Sequence, residues 1–395
     1  MSQITAAAQL DVADHAEHQN NPRCLVVFWG VGGAGSRLTQ RVGGELSARF
    51  LPDKLALSLH RGNSWLEQAK GVCSDIDVID GRAGHTSGLS IVLGLPRQLW
   101  RFARHLRRFS PDIVVVPMNF AQACLLGIVA RLFGHKLIYV VHDAQPHPGD
   151  YAQRFQILSQ RSLIGTASRI VTMSSVVGEA LRTGPQSIRR DKISIVPLAA
   201  LVPRLRSAPR MLDDRPIRFL FLGRLLKYKG LDILAKALSA IQSRDDWTLT
   251  IAGNGSERDF VLAAFSQFRQ VDLSQLETIS EEAVDALLDS HDVVLCPYVE
   301  ASQSGVIAEG FGHGLPALVT PVGALPEQVG DGVAGWIARA PTSDALAACL
   351  LDVLENRAGY AAKSAMALQL ASAGVGSSAW ADIVRSTLQS TPGAR

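Results

Sequence analysis

Cysteine is scarce: five residues among 395, Cys24, Cys73, Cys124, Cys296 and Cys349, odd in number and without a CxxC pair. That scatter excludes a disulfide framework and a Cys-based zinc site, and it suits a reducing cytoplasm. Charge of one sign is also scarce. A formal charge of +3 and a pI near 8.6 give a mild basic excess, enough for anions or an anionic membrane surface, and nucleic acid is not implied. No apolar run approaches the roughly 18 residues a membrane-spanning helix needs; the longest, near 123–130 and 219–226, are short or broken by charge. The chain therefore reads as soluble or peripheral. Residues 1–23 lack a basic start and a long apolar core, so they read as a disordered leader rather than a signal peptide. What the chain does have is bulk: 47% apolar and 19% charged residues can bury a large core, with length for two ordinary domains.

Apolar runs of strand length alternate with helix-period segments, the pattern of α/β domains with parallel sheets. The first half reads CLVVFW, LALSL, IDVI, DIVVVP, KLIYVVH, RIVTMS and KISIVP, and the second restarts with IRFLFLG, WTLTIAG, VVLCPY and PALVT. Between the halves, VPRLRSAPRMLDDRP (202–216) is polar, Pro- and Arg-rich and without period, which predicts an interdomain linker.

Several loops carry candidate chemistry. After HDVVLCPY, the loop Ser302-Gln303-Ser304-Gly305 opens a predicted helix whose free N–H groups and positive dipole end suit an anion. Glu309, one turn on, can accept hydrogen bonds from the two hydroxyls of a ribose joined to that anion. Arg224 and Lys229 follow IRFLFLG, at the strand end where open α/β sheets bind ligands. Together they suit a diphosphate, although the spacing alone favours two solvated surface cations.

Gly30-Val31-Gly32-Gly33-Ala34-Gly35 is a literal GxGxxG. A dinucleotide site also needs an acid at the end of the second strand, but LALSL runs into His60-Arg61. NAD is thus disfavoured, leaving an Arg-mediated NADP contact as the basis for an oxidoreductase alternative. The loop from His142 to Asp150 holds two histidines and two acids that match neither HExxH nor a Cys/His finger, so no metal is expected. LPRQLWRFARHLRRF (95–109) is a basic amphipathic helix with Leu99, Phe102, Ala103 and Leu106 in one stripe. It can pack that stripe on a sheet and solvate its arginines, or it can lie on anionic lipid.

In order, FLGRLLKYKGLDILAKAL, IAGNGSE, ISEEAVDALLDSHDVVLCPY, the Glu309 helix and PVGALPEQVGDGVAGWIA resemble the motifs of glycosyltransferase family 4, the retaining GT-B enzymes. The resemblance is strong from about 219 to 337 and looser from 24 to 200. It implies two Rossmann-like domains facing across a cleft: an acceptor domain over 24–205, a nucleotide-sugar domain over 206–375, and a segment 376–395 returning to the first. It implies catalytic roles for His142, Arg224 and Lys229, and donor contacts from Gly33, Gly253, Gly255, Gln303, Ser304, Gly305, Val306 and Glu309. Asp143, His147 and Asp150 would line the acceptor side, although Asp143 equally suits a loop cap. The implied partners are a UDP- or GDP-sugar and a saccharide or lipid-linked acceptor. Metal and cofactor are not required, and the setting would be the cytoplasmic face of the membrane in envelope or exopolysaccharide synthesis. One departure stands out. The family's Glu-x7-Glu pair would put its first glutamate at Ala301, with Glu300 and Gln303 nearby. In the resembled family that glutamate holds the transferred sugar, so the departure bears on donor-sugar selection more than on nucleotide binding, and a catalytically degenerate binding protein becomes the second alternative.

Overall fold

The computed structural model describes residues 21–31, 33–80, 88–144, 153–185, 187–198, 205–374 and 378–390. The chain divides into two compact units, one comprising Met1–Met173, Val177–Val196 and Ser377–Arg395, the other Ser174–Val176 and Pro197–Gly376.

The first unit is built on a seven-stranded sheet of order β3-β2-β1-β4-β5-β6-β7. Its strands are β1 (Cys24–Phe28), β2 (Leu55–His60), β3 (Asp75–Ile79), β4 (Ile113–Val116), β5 (Lys136–Val141), β6 (Arg169–Thr172) and β7 (Ile193–Ile195). All pairings are parallel, for example Cys24 opposite both Leu55 and Ile113. The central strands β1 and β4 are buried throughout, which is why CLVVF and IVVV show no polar alternation: helices cover both faces. The last helix, Ala379–Gln389, is pinned to this unit at both ends. Glu45 Oε1 accepts from Trp380 N–H at 2.8 Å, and Lys136 Nζ donates to the carbonyls of Thr387 and Leu388 at 2.8 and 2.9 Å, a cation on the negative helix end.

The second unit has a six-stranded sheet of order β10-β9-β8-β11-β12-β13. Its strands are β8 (Ile217–Leu222), β9 (Trp247–Ala252), β10 (Val271–Asp272), β11 (Val293–Cys296), β12 (Ala317–Val319) and β13 (Gly335–Ile337). Both sheets thus reverse strand order beside their first strand, between β1 and β4 and between β8 and β11, and the crevices outside those strand ends are where such folds bind ligands.

Three details differ from the sequence reading. The basic helix spans Gly88–Phe109, with Pro96 inside it, and so begins well before residue 95. Strands β10 and β13 were not foreseen, being two and three residues long. The described part of the supposed linker is no loose tether: Arg210 is 8% exposed and donates to the carbonyls of Leu288, Asp289, His291 and His313, closing the end of the helix Glu281–Ser290.

Candidate functional site

In the second unit the loops after β8, β9 and β11 are knitted into one platform at the C-terminal sheet edge. Leu225 N–H donates to Asn254 O at 2.9 Å and Glu257 N–H to Leu225 O at 3.0 Å. The glycines make this approach feasible. Gly253 has φ 135°, and a Cβ there would lie 1.9 Å from Gly223 O, while one on Gly255 would lie 2.2 Å from Leu225 O. Their first consequence is therefore backbone contact between two loops. Gly230, at φ 69°, likewise presses on the β11 loop, where a Cβ would sit 1.8 Å from Pro297 O.

This platform presents Arg224 to solvent and holds Lys229 half-buried. Lys229 Nζ stands 3.8 Å from the Tyr298 ring centroid and 5.2 Å from that of Tyr228, a cation–π seat that fixes an otherwise mobile ammonium. The Tyr298 hydroxyl lies 3.2 Å from Ser304 Oγ, and Thr320 donates to the Tyr298 carbonyl. Burial pushes the Tyr298 hydroxyl well up and the Cys296 thiol up, so both stay neutral and tie Lys229 to the Ser304 loop without adding charge.

The helix Gly305–Gly312 starts at Ser304, which is 2% exposed and is gripped on both backbone groups by one side chain. Gln328 Oε1 accepts from Ser304 N–H at 2.7 Å, and Gln328 Nε2 donates to Ser304 O at 3.1 Å. The Ser304 N–H is therefore committed, and the anion-facing donors of this helix start are those beginning at Gly305. Gln303 and Val306 flank this turn, and Glu309 follows one turn on; all three are half-buried. Ala301 is braced from beneath by Gly323, whose left-handed φ of 54° lets it pass so close that a Cβ would meet Ala301 O at 1.5 Å. Sequence reasoning missed Gln328 and Tyr298, since their partners are remote in the chain and their residue types give no local pattern.

In the first unit, Gly30 and Gly35 accommodate the Phe28 ring, which a Cβ at either would approach to 2.3 or 2.2 Å. Gly33, at φ 70°, has open space where a Cβ would stand and precedes the helix Ala34–Ser47. Strand β2 ends in His60, whose Nδ1 accepts from Gly62 N–H at 3.0 Å, and Asp80 pairs with Arg61; no acid occupies the ribose position of a dinucleotide site. His142 sits just past β5 with Nε2 3.3 Å from Pro117 O, and burial lowers its pKa, the opposing field of Asp143 being the smaller effect. It is therefore a neutral imidazole at pH 7. Gln160 Nε2 donates to Asp143 O at 2.7 Å and anchors the loop backbone. His147 and Asp150 lie outside the described residues. Among the described residues no group of three or more His, Cys, Asp or Glu converges to hold a metal ion.

The basic helix buries its stripe in the unit's core, with Phe102 and Leu106 fully covered. No helix among the described residues is long and apolar enough to cross a membrane.

Comparison with known proteins agrees with this architecture. Residues 216–356 match the family model of glycosyl transferases group 1, and residues 75–199 match that of the glycosyl transferase 4-like domain. The D-inositol 3-phosphate glycosyltransferase of Pseudarthrobacter chlorophenolicus is 26% identical over 62% of this chain and 63% of its own length. The amylovoran biosynthesis glycosyltransferase AmsK of Erwinia amylovora is 24% identical over 65% of this chain and 64% of its own. The matches thus span a little under two thirds of each relative. Among solved structures, Anabaena HepE in complex with UDP and glucose superposes with a TM-score of 0.69 at 17% identity, covering 94% of this chain and all of that one, a likeness of fold. With both sheets of this fold in place and family models matching each half, the chain belongs to the group 1 and 4-like glycosyltransferase family of GT-B proteins.

Proposed function

We propose that the chain transfers a sugar from a nucleoside diphosphate donor to a saccharide or lipid-linked acceptor, with retention at the anomeric carbon. The observation that carries this is the convergence, on one knitted loop platform, of Lys229, the Arg224 loop and the helix start at Gly305, with Glu309 one turn beyond. A diphosphate is the ligand such an edge suits: N–H groups and two cations for the phosphates, a carboxylate for ribose hydroxyls. UDP is the first candidate, because the HepE structure holds UDP and glucose; GDP is the second.

In the proposed reaction the bond from the anomeric carbon to the phosphate oxygen breaks, and a bond from the acceptor oxygen forms on the same face. The acceptor's proton passes to the departing phosphate. Arg224, Lys229 and the N–H groups from Gly305 onward stabilise the charge that develops on that phosphate. His142, neutral through burial, serves the donor sugar as a hydrogen-bonding partner. Asp143, His147 and Asp150 belong to the acceptor side, Gly33 and the two Gly-rich loops to the phosphates. The setting is the inner face of a bacterial membrane, with the Gly88–Phe109 helix as a contact.

The test is release of nucleoside diphosphate and labelled sugar transfer from UDP- and GDP-sugars. Removing one charged contact to the leaving group costs about 100-fold in rate. Arg224→Ala and Lys229→Ala are each expected to lose that much while keeping their fold, and near-normal turnover in both would remove the assignment. Ala301 favours a second reading, a GT-B protein that binds nucleotide without transfer; it would show donor affinity with neither transfer nor slow donor hydrolysis. The NADP-dependent oxidoreductase reading rests on the Gly30–Gly35 loop alone and leaves the second unit's loops without a use.

A further inference from the structure

We propose that the second unit carries another ligand site, at the edge of its sheet opposite the donor platform, for the phosphomonoester of a small polyhydroxylated molecule, in chemical class a sugar phosphate. The site stands independently of the transfer chemistry.

The Arg-rich stretch that reads as a linker in the sequence builds it. The stretch lies against the body of the unit: Arg206 N–H donates to Gly312 O at 2.8 Å, and Arg210 N–H donates to Ser364 Oγ at 2.8 Å. That course brings Arg206, Arg210 and Arg215 together with Arg218 of β8 around a cavity of about 420 Å³ that Asp289 and Asp292 also line. The cavity sits beside the starts of β8 and β11, at Ile217 and Val293, whereas the Arg224 and Ser304 loops follow the ends of those strands.

Four guanidiniums against two carboxylates leave the lining with an excess of two positive charges. Part of this set holds the fold. Arg210 spends its guanidinium on backbone carbonyls, and buried Asp292 takes Arg215 at 2.6 and 2.9 Å and Arg218 at 3.2 Å through both Nε and Nη2. Asp289 is occupied by His313 Nδ1 at 2.9 Å. The rest is unspent: Arg206 uses only its Nε, on Ala208 O at 3.2 Å, and Arg218 Nη1 donates to no group among the described residues. Arg206 is exposed and forms no ion pair among them either. Its like charge adds to the lowering of the Arg210 pKa, which burial chiefly causes. Planar donors of one charge, left over around a concave surface, match the oxygens of a phosphate dianion.

A second cavity of about 570 Å³ shares Arg218 with the first. Residues 289–292 form their common wall, Asp289 and Asp292 lining one cavity, Ser290 and His291 the other. Here the lining includes Thr248 and Thr250 of β9, Gln270 and Asp272, groups that exchange hydrogen bonds with hydroxyls. Asp272 repels a phosphate, so the phosphate end belongs in the arginine cavity and the hydroxylated body beside β9. Neither lining includes Phe, Tyr or Trp on which a nucleobase could stack, which separates this ligand from a nucleotide.

The experiment is calorimetric titration of the intact protein with glucose, mannose and galactose 6-phosphates, with inorganic phosphate and with glucose, at constant ionic strength. It is repeated in Arg206→Gln, Thr248→Val and Lys229→Ala. Arg206 and Thr248 are exposed, and unchanged circular dichroism and melting temperature establish that these variants are folded. The expected result is that one hexose phosphate binds more tightly than inorganic phosphate and that glucose does not bind. Arg206→Gln should weaken both phosphates roughly tenfold or more, Thr248→Val the hexose phosphate alone, and Lys229→Ala neither. No binding of any phosphate, equal affinity for hexose phosphate and inorganic phosphate, or undiminished binding in Arg206→Gln would overturn the proposal. So would loss of binding in Lys229→Ala, which would put the phosphate on the donor platform. Titration with UDP keeps the two sites apart, because the transfer reading predicts an affinity that Arg206→Gln leaves unchanged.

Discussion

Gln328 is the residue whose role is clearest in three dimensions and least visible in one. Its amide accepts from the N–H of Ser304 and donates to its carbonyl, holding this buried residue at the turn into the helix. Losing the pair costs on the order of 1–2 kcal/mol and loosens the turn. Gln328→Leu is therefore expected to weaken nucleoside diphosphate binding about tenfold by calorimetry, with a modest drop in melting temperature. Unchanged affinity in a folded variant would show that the Ser304 turn does not face the nucleotide. Lys229 gives a complementary expectation. Tyr298 seats its ammonium, so Tyr298→Leu should lower turnover through a misplaced Lys229 while nucleotide affinity changes less, read from kcat against Kd. Of the proposed site, Arg224, Lys229, Gly253, Gly255 and Glu309 could be proposed from sequence because each lies at a strand end or one helical turn from it. Gln328 could not, because its partner is separated from it by another strand and its loop.

At the scale of elements, long apolar runs such as KLIYVV and IRFLFL announce themselves, being buried on both faces. β10 and β13 escaped because two or three residues cannot display a period, and each is defined by its neighbour's hydrogen bonds instead. The start of Gly88–Phe109 escaped because Pro96 reads as a helix opening, whereas here it lies inside a longer helix. The glycine-rich loops read in the sequence as ligand loops; in the structure Gly253 and Gly255 serve loop-to-loop contact. Gly253→Ala, forced to hold φ 135° with its methyl against Gly223 O, is expected to cost about 3 kcal/mol or more and to be read as a lowered denaturation midpoint. A stability equal to the parent would show that this contact yields easily.

For the whole molecule, four buried or half-buried histidines shape the acid side of the stability profile. His105, His135, His142 and His291 all have pKa values lowered from 6.5, in each case chiefly by burial. The unfolded chain takes up these protons near pH 6.5, while the folded chain resists until lower pH, so stability is complete above about pH 7 and declines as pH falls through 6.5. Asp292, held down to about 2 by Arg215 and Arg218 against the cost of its burial, contributes stability lost only as pH falls from 3.8 toward that value. The melting temperature should thus drop between pH 7 and 5, before the Asp292 contribution fails; a flat profile there would contradict the burial of these imidazoles.

The most direct test of the donor site is calorimetric titration of the intact protein with UDP, GDP, ADP, NAD and NADP, repeated with Glu309→Ala. We expect one nucleoside diphosphate, UDP first, to bind, and the substitution to weaken it by roughly tenfold through the lost ribose hydrogen bonds. Binding of NADP alone, no binding of any diphosphate, or full affinity in Glu309→Ala would contradict the placement of a nucleotide-sugar on the Arg224–Gly305 platform.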